Sequence, residues 1–156
     1  MRLLASTDIA LRVLILLAGA PPGRPVSVGW MARELGGLSR DHLHKIVQEL
    51  TSLGITRTVR GAGGGMLLAR APAEVRLGSL VRHLEADQAM VECFRAEGCA
   101  CTLLPGCRLR GMLASAEAGF YASLDGYTLA DCSPDPERDA PLPDRRLAPR
   151  DSPASG

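Results

Sequence analysis

Four of the five cysteines in this chain stand within one short stretch, Cys93-Phe-Arg-Ala-Glu-Gly-Cys99-Ala-Cys101-Thr-Leu-Leu-Pro-Gly-Cys107. Its glycines and proline are turn formers, and such segments run over a protein surface. The cysteines are therefore placed for chemistry rather than as small apolar core residues. Thiolates are soft ligands that select zinc, copper(I) or iron–sulfur clusters. A zinc ribbon needs two C-x2-C pairs, and the chain has none. Cys99-Ala-Cys101 is too tight for a knuckle that binds one ion through both sulfurs. The wider set Cys93, Cys101 and Cys107, with gaps of seven and five residues, suits the irregular loops that hold iron–sulfur clusters. Three thiolates leave one ligand to come from elsewhere in the chain or from a partner subunit. Zinc and a thiol redox switch are the alternatives. A loop of this kind needs a scaffold, and the rest of the chain has to supply it.

Charge divides the chain in two. Residues 1–70 hold nine Arg and Lys against four Asp and Glu, a surplus of five positive charges; residues 71–156 hold nine against thirteen, a surplus of four negative ones. A basic first half implies a module for a polyanion. The odd cysteine count fits a reducing compartment better than a disulfide framework. The start of the chain imitates a signal peptide, with Arg2, the apolar run Val13 to Leu17 and then Ala18-Gly-Ala20. Asp8 and Arg12 interrupt the apolar region that such a segment needs, and the apolar run is also too short to cross a bilayer. The expectation is a cytoplasmic protein with no membrane partner.

The periodicity predicts a helix from Thr7, as N-cap, to Ala18, with Asp8 and Arg12 paired at i, i+4. Ser27 is expected to cap a second helix, Val28 to Leu35, closed by Gly36-Gly37. Ser39 is expected to cap a third, Arg40 to Leu53. Leu43, Ile46, Val47, Leu50 and Leu53 form its buried stripe, and Arg40, Asp41, His44, Lys45 and Gln48 lie opposite. Helix, glycine turn and helix with a polar outer face is the helix-turn-helix pattern. Ile55 to Val59 and Met66 to Ala69 then read as two strands around Arg60-Gly-Ala-Gly-Gly-Gly65, a hairpin wing with arginine at its base. No Gly-Lys-Ser/Thr follows, which sets a phosphate loop aside. Together these predict a winged helix-turn-helix domain for double-stranded DNA.

Leu77, Leu80, Val81 and Leu84 mark a further short helix. Arg108 to Leu124 is a longer one, with Leu109, Met112, Leu113, Ala116, Phe120 and Leu124 on one face. It has little core of its own to pack on, so burial against a second copy in a homodimer is the economical solution. Residues 125–131 read as a turn and one more helical turn. Residues 133–156, rich in Pro, Asp, Arg and Ser, are expected to be disordered. The fold class is mainly α with a small β-hairpin. The expected parts are a winged domain (1–86), a cysteine loop (87–107), a dimerisation helix with its closing turn (108–132) and a tail (133–156).

Candidate base contacts are Arg40 and His44, with Lys45 and Gln48 for bases or phosphates and Ser39 at the helix start. Arg57, Arg60, Gly63 and Gly64 of the wing are candidates for the backbone and minor groove. His42, His44 and His83 form no nucleophile–base arrangement, and no catalytic residue is assigned. The chain does not read as an enzyme. A small cluster-bearing electron carrier would leave the basic winged half without a purpose.

Several stretches carry a family resemblance: Ser6-Thr-Asp-Ile-Ala-Leu-Arg12, Ser39-Arg-Asp-His-Leu-His-Lys-Ile46, Arg60-Gly-Ala-Gly-Gly-Gly65, Val91-Glu-Cys-Phe94, Cys101 through Cys107-Arg-Leu109, and Leu124-Asp-Gly-Tyr-Thr-Leu-Ala-Asp131. With these the chain resembles the nitric-oxide-sensing NsrR repressors, within the wider group of winged-helix iron–sulfur regulators that includes IscR. The resemblance implies an iron–sulfur cluster, one per subunit, held by Cys93, Cys101 and Cys107, with Asp8 of the other subunit as fourth ligand. Cys99 departs from the pattern. Cys93-x5-Cys99 is also an acceptable spacing, so Cys99 stands as the alternative to Cys101. Either [2Fe-2S] or [4Fe-4S] is compatible. The implied function is repression of an operator, released by nitric oxide; a regulator of the same group responding to iron–sulfur status or redox state is the alternative. Cys132 reads as a packing residue.

Overall fold

The computed structural model describes residues 3–95, 98–104 and 106–132; the tail expected to be disordered lies outside them. The order of elements is α1 (Ala5–Ala18), α2 (Val28–Glu34), α3 (Arg40–Ser52), β1 (Thr56–Val59), β2 (Gly65–Leu68), α4 (Leu77–Leu84) and α5 (Arg108–Asp125), with 3-10 turns at Pro72–Glu74, Glu92–Phe94 and Leu129–Cys132.

Helix α1 begins before Thr7, which corrects the expected cap. Thr7 shares the apolar stripe of Ala10, Leu14 and Leu17, and is buried with them. Its Oγ1 has no hydrogen-bond partner. The cap position belongs to Leu4, whose N–H is donated to Glu85 Oε1 at 2.9 Å. The start of α1 is thereby fastened to the end of α4.

Ser27 caps α2 as expected, accepting the Trp30 N–H at 3.1 Å. The α2–α3 turn needs two left-handed residues, and Gly36 (φ 86°) and Gly37 (φ 78°) provide them. Ser39 holds the N-cap position of α3, but its hydroxyl makes no capping bond. Leu43, Ile46, Val47 and Leu50 of α3 are buried against α1. The expected stripe is in place.

The strands pair antiparallel in the register Thr56↔Leu68, Arg57↔Leu67, Thr58↔Met66 and Val59↔Gly65. Val26 adds a rung on the other side of β2: its N–H donates to Met66 O at 2.9 Å and its carbonyl accepts the Met66 N–H at 2.8 Å. A Cβ at Gly65 would collide with the Val26 carbonyl, so this approach requires glycine. Met66 is fully buried.

Helices α4 and α5 also meet at a glycine. A Cβ on Gly78 would strike Asp125. Arg82 braces the contact, with Nη2 2.9 Å from Asp125 Oδ2 and the guanidinium carbon 4.8 Å from the centre of the Tyr121 ring. Elsewhere α5 is only partly covered: none of its residues is fully buried, and Leu109 and Met112 are 59% and 61% exposed.

After α5 the chain returns to the head. Leu77 donates its N–H to Tyr127 O at 3.0 Å, and Leu129 donates to Val75 O at 2.9 Å. Leu129 is completely buried in the same core as α1 and α3. The sequence grouping put this turn with the long helix; its packing is with the winged head. Among the described residues no helix is long and apolar enough to cross a membrane.

Candidate DNA interface and cysteine loop

Burial of the α3 stripe turns its other side outward. Ser39, Arg40, His44, Lys45 and Gln48 are all exposed. Arg40 lies back across α2: a Cβ built on Gly29 would stand 3.3 Å from Arg40 Nη2. Trp30 of α2, the single tryptophan, is 39% exposed. Sequence reading passed over Trp30. Its signal was a large aromatic immediately before Met31 and Ala32, the two buried residues of that helix.

Arg57 and Arg60 are exposed on the wing, as is Gly63, whose φ of 79° suits glycine. Gly64 has a reason of its own to be glycine. Its N–H closes a turn onto Gly61 O at 2.9 Å, and a Cβ there would meet the Val59 carbonyl.

The cysteine loop leaves α4 and enters α5. Cys93 lies in the 3-10 turn Glu92–Phe94, and Cys107 occupies the N-cap position of α5. Arg110 ties the two ends together: its Nε donates to Cys93 O at 3.4 Å, and its guanidinium carbon is 5.7 Å from the Phe94 ring centre. Between these ends the backbone closes in small steps. Gly98, at φ 100°, donates to Arg95 O at 3.4 Å, and Leu104 donates to Cys101 O at 3.5 Å. Cys99 Sγ accepts the Cys101 N–H at 3.2 Å. All four loop thiols are half-buried and free of disulfides.

An open cleft of about 940 Å³ lies between the end of α4, the loop and α5, lined in part by Arg82, Glu85, Phe94, Glu117 and Tyr121. Burial there, with Glu117 and Glu85 nearby, pushes the Tyr121 phenol up from its ordinary pKa.

This donor set fits an iron–sulfur cluster in its chemistry: accessible thiols, a backbone N–H on a sulfur, and a helix start that favours the negative charge of thiolate ligands. Among the described residues of one chain, no three ligating side chains are gathered at one point. Asp8 sits on the first turn of α1 in a bidentate pair with Arg12, with Nε to Oδ1 at 3.1 Å and Nη2 to Oδ2 at 2.9 Å. Both side chains are more than half exposed. Such an i, i+4 pair is worth about 0.3–0.5 kcal/mol, so it leaves Asp8 free to take another partner.

Glu85 was not singled out from sequence. It falls four residues after Val81, on an extension of the α4 stripe, and it is buried with the Leu4 N–H on its carboxylate. An acid continuing an apolar stripe was the available signal. Cys132 packs against the head core, and burial, then Asp131, pushes its thiol pKa up.

The Rrf2 family model, described as iron-dependent transcriptional regulator, matches residues 3–135. The transcriptional regulator NsrR of Geobacillus kaustophilus is 44% identical over 131 residues, covering 84% of this chain and 88% of that protein. NsrR of Bacillus subtilis is 40% identical over 131 residues, covering 84% and 89%. Among solved structures, the global cysteine regulator CymR of B. subtilis superposes with a TM-score of 0.66 at 26% identity, covering 84% of this chain and 95% of that one. T. potens IscR superposes with a TM-score of 0.64 at 25% identity, covering 84% and 85%. The chain belongs to the Rrf2 family and is a transcriptional regulator of the NsrR type.

Proposed function

We propose that this regulator is a homodimeric repressor that reads a two-fold operator with its winged heads and senses nitric oxide through an iron–sulfur cluster on its cysteine loop. Cys93, Cys101 and Cys107 would hold the cluster, with Asp8 of the second copy as the fourth ligand. When bound, the cluster supplies iron that reacts with nitric oxide. Every other step belongs to residues of this chain.

The observation that carries the reading is the position of α1. It bears Asp8 on its first turn and packs through its buried face on both α3 and β2. A ligand bond at Asp8 holds the base of the reading helix and of the wing together. Its loss lets both heads leave the half-site spacing. Asp8 exchanges Arg12 for the ligand bond at small cost, because that pair is exposed. On DNA, Arg40 and His44 face base edges. Lys45, Gln48 and Ser39 steady the helix, and Arg57, Arg60, Gly63 and Gly64 carry the wing along the backbone. The acidic second half keeps the remaining surface off the phosphates.

Useful release needs about a hundredfold loss of affinity, about 3 kcal/mol of coupling. Cys93→Ala and Cys107→Ala in the anaerobically purified protein are expected to be colourless and to bind operator no better than the cluster-free wild type. A coloured variant that holds the operator at wild-type strength would overturn the ligand assignment.

A further inference from the structure

We propose that Cys99 is a reserve ligand, so that the cluster site can be completed by Cys93 and Cys107 with either Cys101 or Cys99. The inference rests on the cluster reading above and goes beyond it. Three ligands suffice with Asp8, yet the loop presents four free, half-buried thiols. The fourth is not packed away elsewhere. Its sulfur lies 3.2 Å from the Cys101 backbone nitrogen, two bonds from the Cβ that carries the Cys101 sulfur. The two thiols therefore start from the same place in the loop.

The backbone favours exchange between them. Residues 98–101 belong to no helix or strand. The turn that Gly98 closes and the turn that begins at Cys101 bracket the pair on either side. Rotation of two short side chains can trade one sulfur for the other while both turns stay closed. The Cys101 N–H, 3.2 Å from the Cys99 sulfur, keeps that sulfur beside the Cys101 backbone. The tight one-residue gap works against both sulfurs binding one iron, which makes the two alternatives to each other. Where Cys99 would hold the cluster in place of Cys101, one thiolate–iron bond would replace another, and the released Cys101 would take up the proton that Cys99 gives up. No electron is transferred.

The consequence is a site that survives loss of one particular thiol and fails on loss of two. The test uses full-length dimer reconstituted anaerobically with iron and sulfide, in wild type, Cys99→Ala, Cys101→Ala and the double variant. Iron per chain, visible absorbance and cysteine alkylation followed by mass spectrometry are the readouts. Each single variant is expected to keep more than half the wild-type iron, and alkylation should show Cys99 protected in Cys101→Ala. The double variant should fall below a tenth of wild-type iron with its helical circular dichroism unchanged. Cys101→Ala with no iron and a reactive Cys99, in a folded dimer, would overturn the proposal. A wild type that takes up no iron would instead overturn the cluster reading on which it rests.

Discussion

The winged head and the loop with α5 are built in opposite ways. In the head, α1, α3 and β2 bury Leu14, Leu50 and Met66 completely, and the chain returns from α5 to place Leu129 in the same core. In α5 no residue is fully buried, and Leu109 and Met112 face outward. Among its described residues, the cysteine loop is held by local turns and by Arg110, which reaches both Cys93 O and the Phe94 ring. One region is packed as a core. The other leaves an apolar face exposed and its thiols free, which the proposed function gives to a second copy and a cluster. A sensor gains from that division, since the part that must change state lies outside the cooperative core.

The sharpest way to break this comparison is to delete equal side chains in the two regions. Leu50→Ala is expected to cost about 2–5 kcal/mol in urea unfolding. Leu109→Ala should shift the same unfolding by about 0.5 kcal/mol or less, while weakening self-association measured by sedimentation. Equal losses at the two sites would mean that α5 belongs to the head core.

The junction between the regions comes next. Gly78→Ala forces a Cβ onto Asp125 and should destabilise by about 1–3 kcal/mol. Glu85→Ala removes the acceptor of the Leu4 N–H and should cost about 1 kcal/mol. Hydrogen exchange is expected to rise at the first turn of α1 in that variant. No change there would show that the α1–α4 tie is idle.

Smaller effects refine the picture. Arg12→Ala should change stability by about 0.5 kcal/mol or less, because the Asp8 pair is exposed; a large loss would mean that Asp8 is locked and unavailable as a ligand. Cys132 offers a pH test. Its thiol pKa is raised in the folded state by burial and by Asp131. The associated stability is therefore present below the ordinary thiol pKa and is lost as pH rises through the elevated folded value. Cys132→Ala should flatten the alkaline limb of the stability profile, read from melting temperature at successive pH values.

Much of the head was legible because its signals are periodic. The stripe of α3, the glycines after α2 and the glycine-rich wing each fix local structure from residue type alone. Thr7 misled because it satisfies the sequence rule for an N-cap while also lying on the stripe of Ala10 and Leu14. Burial of that stripe wins. Leu129 was illegible for a different reason: its partner, Val75, is far away in sequence and leaves no local trace. Glu85 continues the α4 stripe, but its partner Leu4 is equally distant. In the site, residue types and spacing named the cysteines. Nothing in the sequence shows that Cys99 Sγ rests on the Cys101 N–H, or that Arg40 reaches back to Gly29 of α2.

One measurement bears most directly on the link between the two regions. The reconstituted dimer is titrated anaerobically with nitric oxide while visible absorbance and operator anisotropy are followed in the same sample. The account predicts that absorbance bleaches and DNA is released together, with affinity falling about a hundredfold. Bleaching with the operator still bound at full strength would contradict it, and would uncouple the cysteine loop from the winged head.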